Sequence, residues 1–375
     1  MGMGRRLSDW AVRLLTRREA PPQPQAALQR IAVVRLNNIG DVVTATGLLN
    51  ALRERYPHAA ITVITNPAAA PLLTAHPAVD RVATLQDAGA VTLRRPLALL
   101  RAALRLRRAA DARMDTAFFL EQGPALLLAA ALPARFKAGF AAGRGQYAWM
   151  LTHRVVSHGQ DARQALRYRY RLYQDLLARF TGETEIAAPT TLHIPGDPDK
   201  AAQAWLRENG VTRPFVVLAP GGTAVSRRWP AENFRDLACR LGARADCDVV
   251  VLGGPAEADI APLFEDTGAV NGIGALGIAT TAAVIARAKA VVVNDTSLMH
   301  MAVALQTRTL AIFGGSPAQR AGYEPEKMTA LAAGLSCQPC GLDICPYGEV
   351  PPCLSAISPE TVLAQLPDPG QDKDR

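Results

Sequence analysis

Three short polar runs, each placed where a hydrophobic stretch ends, hold the side chains of this 375-residue chain that could do chemistry. The first is Leu36-Asn37-Asn38-Ile39-Gly40-Asp41, where a β-branched strand gives way to a helix. Gly40 permits a tight turn, and Asp41 falls at the helix start, at the top of a sheet. A carboxylate placed there can act as a general base and take the proton of an attacking hydroxyl. Asp is also a favoured N-cap residue, so spacing alone leaves both roles open. The second run is Pro220-Gly221-Gly222-Thr223, followed by Ser226-Arg227-Arg228-Trp229-Pro230. A Gly-rich turn after a strand presents backbone N–H groups that can cradle phosphate. Arg227 or Arg228 would offset the charge of a diphosphate, with the two-pronged geometry a guanidinium offers. Pro230 suits the first position of the next helix. The run is neither a Walker loop nor a GxGxxG. The third is Asn294-Asp295-Thr296-Ser297-Leu298-Met299-His300, which opens a helix reaching about Leu305. Hydroxyls and backbone donors together at a helix N-terminus make an anion site suited to a pyrophosphate. The alternative takes Asp295, Thr296 and Ser297 as a capping cluster and His300 as a packed helix residue.

A fourth pattern is Cys337-x2-Cys340-x4-Cys345-x7-Cys353, four thiols within 17 residues. In a reducing compartment this spacing points to a structural metal, zinc by default or iron with four thiolates, rather than to disulfides. Thiols that bind nothing are the other reading. Cys239 and Cys247 stand alone. The chain has no His-Glu-x-x-His helix, no Gly-x-Ser-x-Gly elbow and no Walker lysine.

These runs must be held by regular elements. Strands are expected over 31–36, 61–65, 82–85 and 116–120 in the first half. In the second half they are expected over 215–219, 248–252, 269–271, 290–294 and 309–313. Amphipathic helices fall between them, at 44–55 and 96–109 among others. A Pro- and Thr-rich linker lies at 187–199. Alternating strands and helices require parallel sheets. The expected organisation is α/β, with two Rossmann-like domains, 30–190 and 191–365, facing each other across a cleft. Ligands of such sheets sit at the carboxyl ends of the strands, where the three polar runs lie. A basic amphipathic extension (1–29) carries Leu7, Trp10, Leu14 and Leu15 at helical spacing, suited to an anionic membrane surface or to packing on its own domain. Residues 366–375 are expected to be a flexible tail.

Composition sets the outer limits. The chain is 49% hydrophobic and 20% charged, which is globular, and its net charge is +8. That charge suits a nucleotide, a phosphorylated glycan or an acidic membrane surface, or is simply a solvated basic face. Nucleic acid is not favoured, since no finger, no RNP signature and no interleaved aromatics are present. The arginines at 94, 95, 101, 105, 107 and 108 could meet phosphates of an acceptor. No uninterrupted apolar signal segment is visible, and the longest apolar run, 125–132, is far too short to span a bilayer. The expectation is a cytoplasmic protein, peripheral on the inner face of the membrane.

In order along the chain, these fragments resemble glycosyltransferase family 9, the ADP-heptose:lipopolysaccharide heptosyltransferases. The resemblance runs from Arg35-Leu36-Asn37-Asn38-Ile39-Gly40-Asp41-Val42-Val43 through Leu52-Arg53-Glu54-Arg55-Tyr56-Pro57 and His76-Pro77-Ala78-Val79-Asp80. It continues in the blocks 220–230 and 293–300, with Gly314 and the Cys-rich tail, and covers roughly residues 30 to 365. It implies a GT-B fold and an inverting, metal-independent transfer from a nucleotide sugar, ADP-heptose, to an anionic glycolipid at the inner membrane. Asp41 would be the catalytic base. Gly221, Gly222, Thr223 and Arg227 would surround the donor phosphates, and Arg227 would offset leaving-group charge. Asp295, Thr296, Ser297 and His300 would form the pyrophosphate-binding helix start, and Glu257, after Gly253-Gly254-Pro255, would hold the ribose. Three positions depart from the family pattern: Ser297 replaces a usual Gly, Gly47 a common Pro and Arg227 a usual Lys. Some protein-modifying members resemble this chain in carrying a four-cysteine iron motif. A transferase using a UDP-sugar, a sugar epimerase of like architecture and a non-catalytic binding protein are the rival readings.

Overall fold

The computed structural model describes residues 28–86, 96–110, 113–121, 123–142, 150–157, 169–321, 323 and 326–366. The N-terminal extension up to residue 27, Arg94, Arg95 and all but the first residue of the expected tail lie outside them. The chain divides into two compact units. The first comprises Met1–Asn38, Ala45–Ala165 and Tyr170–Pro189; the second comprises Ile39–Thr44, Leu166–Arg169 and Thr190–Arg375.

In the first unit the strands are β1 (Arg30–Arg35), β2 (Ala60–Thr65), β3 (Arg81–Thr84), β4 (Met114–Phe119), β5 (Ala134–Ala142) and β6 (His153–Ser157). They form one sheet in the order β3-β2-β1-β4-β5-β6, and every pair is parallel. Beyond their first residue, β1 and β2 are wholly buried, as their continuous aliphatic runs require of a sheet covered on both faces. The helix Pro96–Ala109 covers part of one face through Ala102 and Leu106, which join Ala110, Phe119 and Leu128 in the core.

The second unit repeats the plan. Its strands are β7 (Phe215–Ala219), β8 (Asp248–Val251), β9 (Val270–Asn271), β10 (Ala290–Asn294), β11 (Thr309–Ile312) and β12 (Met328–Leu331). They lie in the order β12-β11-β10-β7-β8-β9, again all parallel. Counted from its own first strand, each sheet has the doubly wound order 3-2-1-4-5-6. Its strand order reverses between the first and fourth strands, β1 and β4 in one unit and β7 and β10 in the other. The carboxyl ends at that reversal are where open α/β sheets bind ligands. The fold is GT-B.

The sequence expectation missed three strands, each for a physical reason. β5 carries Arg135 and Lys137 among alanines, a glycine and two phenylalanines and so lacks an aliphatic run. β6 and β12 are short strands at the sheet edges. The expected linker is also cut short, because a helix begins at Gly196, with Asp197 and Asp199 favouring its first turn. Among the described residues, no helix is long and apolar enough to cross a membrane.

Candidate active site

At the reversal point of the first sheet, β1 runs into Leu36 and Asn37 while β4 leads into Glu121. Glu121 is buried, and its carboxylate fastens the loop. Oε1 accepts the Leu36 N–H (2.6 Å) and Oε2 accepts Asn37 Nδ2 (2.8 Å). Arg35 compensates its charge, with Nη1 3.4 Å from Oε2 and also donating to Leu120 O at 2.6 Å. Sequence reasoning passed over Glu121, although a Glu ending an aromatic strand was a visible signal.

The turn itself differs from expectation in two ways. Its left-handed residue is Asn38 (φ 53°), not Gly40; Asn tolerates that region better than most side chains do. The helix then begins at Ile39, so Asp41 sits within the first turn and does not cap it. Asp41 is buried, and its carbonyl accepts the Thr44 hydroxyl at 2.9 Å. Ile39–Thr44 belongs to the second unit. What Gly40 supplies there is closeness: a Cβ at this position would fall 2.7 Å from His300 Cδ2. His300 Nδ1 in turn lies 2.8 Å from the Tyr323 hydroxyl.

At the reversal point of the second sheet, the polar loops after β7 and β10 are tied together by Asn294. This residue is fully buried. Its Nδ2 donates to Pro220 O (2.9 Å) and Gly221 O (3.1 Å), and its Oδ1 accepts the Trp229 N–H (3.0 Å). Trp229 is buried against Phe234, with ring centroids 4.9 Å apart, and donates its indole N–H to Ile357 O at 2.8 Å. One buried amide therefore sets the spacing of both loops, a role that spacing in sequence did not reveal. Pro230 caps the helix Ala231–Gly242 instead of occupying its first turn.

Around this frame the expected residues gather. Gly221 packs on Glu257, whose Cδ and Oε1 would each lie 2.7 Å from a Cβ at position 221. Glu257 Oε2 accepts the Gly254 N–H at 2.7 Å. Gly222 lies beside Thr296, and its carbonyl accepts Arg228 Nε at 2.5 Å. Arg228 is thereby committed to the loop. Arg227 instead reaches Asp295, with Nη1 4.0 Å from Oδ2. Asp295 Oδ2 also accepts the Ser316 hydroxyl at 2.6 Å. Thr223 is exposed, at the outer edge of the loop.

Thr296 is the N-cap residue of the helix Ser297–Ala304, yet its side chain makes no capping hydrogen bond. Asp295 is engaged with Arg227 and Ser316, so the reading of 295–297 as a capping cluster fails. Thr296 Oγ1 and Arg227 Nε are both buried polar atoms without a hydrogen-bond partner among the described residues. A buried donor or acceptor left unsatisfied costs about 1–3 kcal/mol. Thr296 stands at this helix N-terminus beside the Gly-rich loop, and Arg227 reaches the adjoining Asp295; donors in such a setting can hold an oxygen-rich anion.

The four cysteines are free thiols; Cys353 is buried, Cys337 and Cys345 are partly so, and Cys340 is exposed. Burial, and then the neighbouring thiols Cys337, Cys345 and Cys340, push the Cys353 thiol up. Among the described residues no three His, Cys, Asp or Glu side chains converge as a metal-binding group. The expected metal shell therefore has no support from this arrangement, although Cys337, Cys345 and Cys340 lie near enough to Cys353 to act on its thiol.

Two doubly wound parallel sheets, with a Gly-rich loop and a helix start at the reversal of the second, define the GT-B class of folds. The family model Glycosyltransferase family 9 (heptosyltransferase) matches residues 123–350, more than half of the chain. The chain belongs to that family and is a glycosyltransferase. It is similar to lipopolysaccharide heptosyltransferase 1 of Pseudomonas aeruginosa, at 30% identity over 168 residues, 41% of this chain and 47% of that protein. The match thus spans about half the length of that relative. It is also similar to lipopolysaccharide heptosyltransferase 3 of Escherichia coli, at 25% identity over 74% of this chain and 80% of that one. A family 9 glycosyltransferase structure from Veillonella parvula shares the fold with a TM-score of 0.76 at 20% identity, covering 92% of this chain and 97% of that one.

Proposed function

We propose that this protein transfers heptose from ADP-heptose to an anionic glycolipid, the inner core of lipopolysaccharide, with inversion at the anomeric carbon and without a metal in the transfer step. The observation that carries the donor half is the pair of unpartnered buried atoms, Arg227 Nε and Thr296 Oγ1, at the start of the helix Ser297–Ala304. A diphosphate is the ligand class that satisfies both while lying on the helix N-terminus and the Gly221–Gly222 backbone. Glu257 meets the donor ribose in this reading. The sugar and the acceptor rest on the heptosyltransferase relatives.

The transfer is a single displacement. The acceptor hydroxyl attacks the anomeric carbon as its proton passes to Asp41. The bond from that carbon to the diphosphate oxygen breaks, and ADP leaves. Arg227 and the helix N-terminus stabilise the charge that builds on the leaving oxygens, so positioning and electrostatics carry most of the work. The helix Pro96–Ala109 supports an anionic acceptor at a cytoplasmic membrane face. It has no acidic residue, exposes Arg101, Arg105, Arg107 and Arg108, and leaves Leu100 and Leu104 half-exposed beside them. A basic helix with surface leucines suits peripheral attachment.

The deciding assay offers purified protein a panel of nucleotide sugars with deeply truncated lipopolysaccharide. ADP release and a product heavier by one heptose are expected with ADP-heptose alone. Turnover only with a UDP-sugar would overturn the donor, and no turnover with any would favour a non-catalytic sugar-binding protein. A structural zinc or iron at Cys337, Cys340, Cys345 and Cys353 has the support of their spacing but not of their arrangement. Elemental analysis settles it. About one metal per chain, lost in a Cys337→Ser/Cys340→Ser variant, would establish the site, and equal content in both proteins would end it.

A further inference from the structure

The cysteine-bearing loop is fastened to the turn that carries Arg227. Ser226 is buried; its hydroxyl donates to Leu342 O at 2.5 Å and its N–H to Asp343 O at 3.3 Å. Ser226 O accepts the Gly315 N–H (2.9 Å), and Gly315 O accepts the Gly341 N–H (2.7 Å). Gln338 Nε2 spans Phe313 O (2.8 Å) and Gly314 O (3.0 Å). Beyond the loop, Cys353 and Leu354 are anchored in the core of the second unit. The loop therefore has little freedom to move relative to residues 226–227. On this frame the Asp343 carboxylate reaches Arg227, with Oδ1 3.3 Å from Nη2, while Asp295 stands 4.0 Å from Nη1. The Asp343 side chain is 77% exposed. An ion pair so exposed is weak and readily displaced, whereas a diphosphate binds a guanidinium through two strong bonds.

We propose that Asp343 is a positioning residue: a resident counter-ion that presets the Arg227 guanidinium, yields it to the incoming diphosphate and, by its charge, hastens release of the nucleoside diphosphate. The proposal rests on the donor-site reading of Arg227. It has a sign that a merely structural role lacks. Once phosphate holds Arg227, the Asp343 carboxylate is a like charge beside it and opposes binding. Removing that charge should tighten nucleotide binding, while damage to the loop would weaken it.

The test is calorimetric titration of the full chain with ADP. Asp343→Asn should bind ADP about two- to fivefold more tightly. The gain should shrink as salt is raised, and Asp343→Glu should keep the parental affinity. In an Arg227→Ala background the gain should be smaller, since no ion pair then has to be displaced and only the direct like-charge repulsion is relieved. Unchanged or weaker ADP binding by Asp343→Asn would overturn the proposal, as would an equal gain without Arg227. Parental ADP affinity in Arg227→Ala alone, or no ADP binding by the parent, would remove the donor-site reading itself and this inference with it. Thermal unfolding checks that the surface substitutions leave the fold intact.

Discussion

Substituting Asp41 by Asn is expected to lower turnover by about 10²–10⁴-fold, the usual loss when a general base is removed, with donor KM little changed. Asn matches Asp in size, so the buried position keeps its packing. The Thr44 hydroxyl bonds to the backbone carbonyl of residue 41, which the substitution leaves in place. The substitution removes the carboxylate's capacity to accept a proton. The location of Asp41 supports that role. Its neighbour Gly40 leaves no room for a side chain against His300, on the helix whose N-cap is Thr296. The segment carrying the base therefore packs, within the second unit, on the helix that holds the diphosphate in our reading. Steady-state kcat and KM with ADP-heptose, together with a thermal melt, make the check. A normally folded Asn variant that turns over at the parental rate would remove Asp41 from the mechanism.

Much of this frame was legible because the central strands are simple. β1, β7 and β10 are short, mainly aliphatic runs, and a parallel sheet covered on both faces needs little more than that. The polar runs after them were legible for the same reason, since each breaks an otherwise apolar pattern. What stayed hidden depends on partners far apart in sequence. Asn294 reaches Pro220 across 74 residues, and Glu121 reaches Leu36 across 85. No local pattern marks which buried polar residue will find which backbone group. Local chemistry misled in a second way at Thr296, where N-cap preference suggested a satisfied hydroxyl and the fold leaves it without a partner. The thiols show the same limit, because their spacing along the chain carried no information on whether they converge.

Arg227→Ala carries the second large effect, and it falls on donor binding. Hydrogen bonds to charged groups contribute about 1.5–3 kcal/mol each, so ADP affinity should fall by about 10- to 150-fold. The loss should lie towards the upper end, because Asp295 and Asp343 would then face the diphosphate with no cation between them. Arg228 should compensate little, since its Nε is held by Gly222 O. Arg227→Lys restores the charge but not the planar fork or the Nε–H, so it should recover only part of the affinity. The kinetics then divide two roles. If Arg227 only holds the ground-state diphosphate, the alanine variant raises KM and keeps kcat. If it also stabilises charge on the departing oxygens, as we propose, kcat falls as well. Titration with ADP beside steady-state rates for the alanine and lysine variants separates these outcomes. Unchanged ADP affinity in Arg227→Ala would mean that the orphaned Nε faces something other than a phosphate.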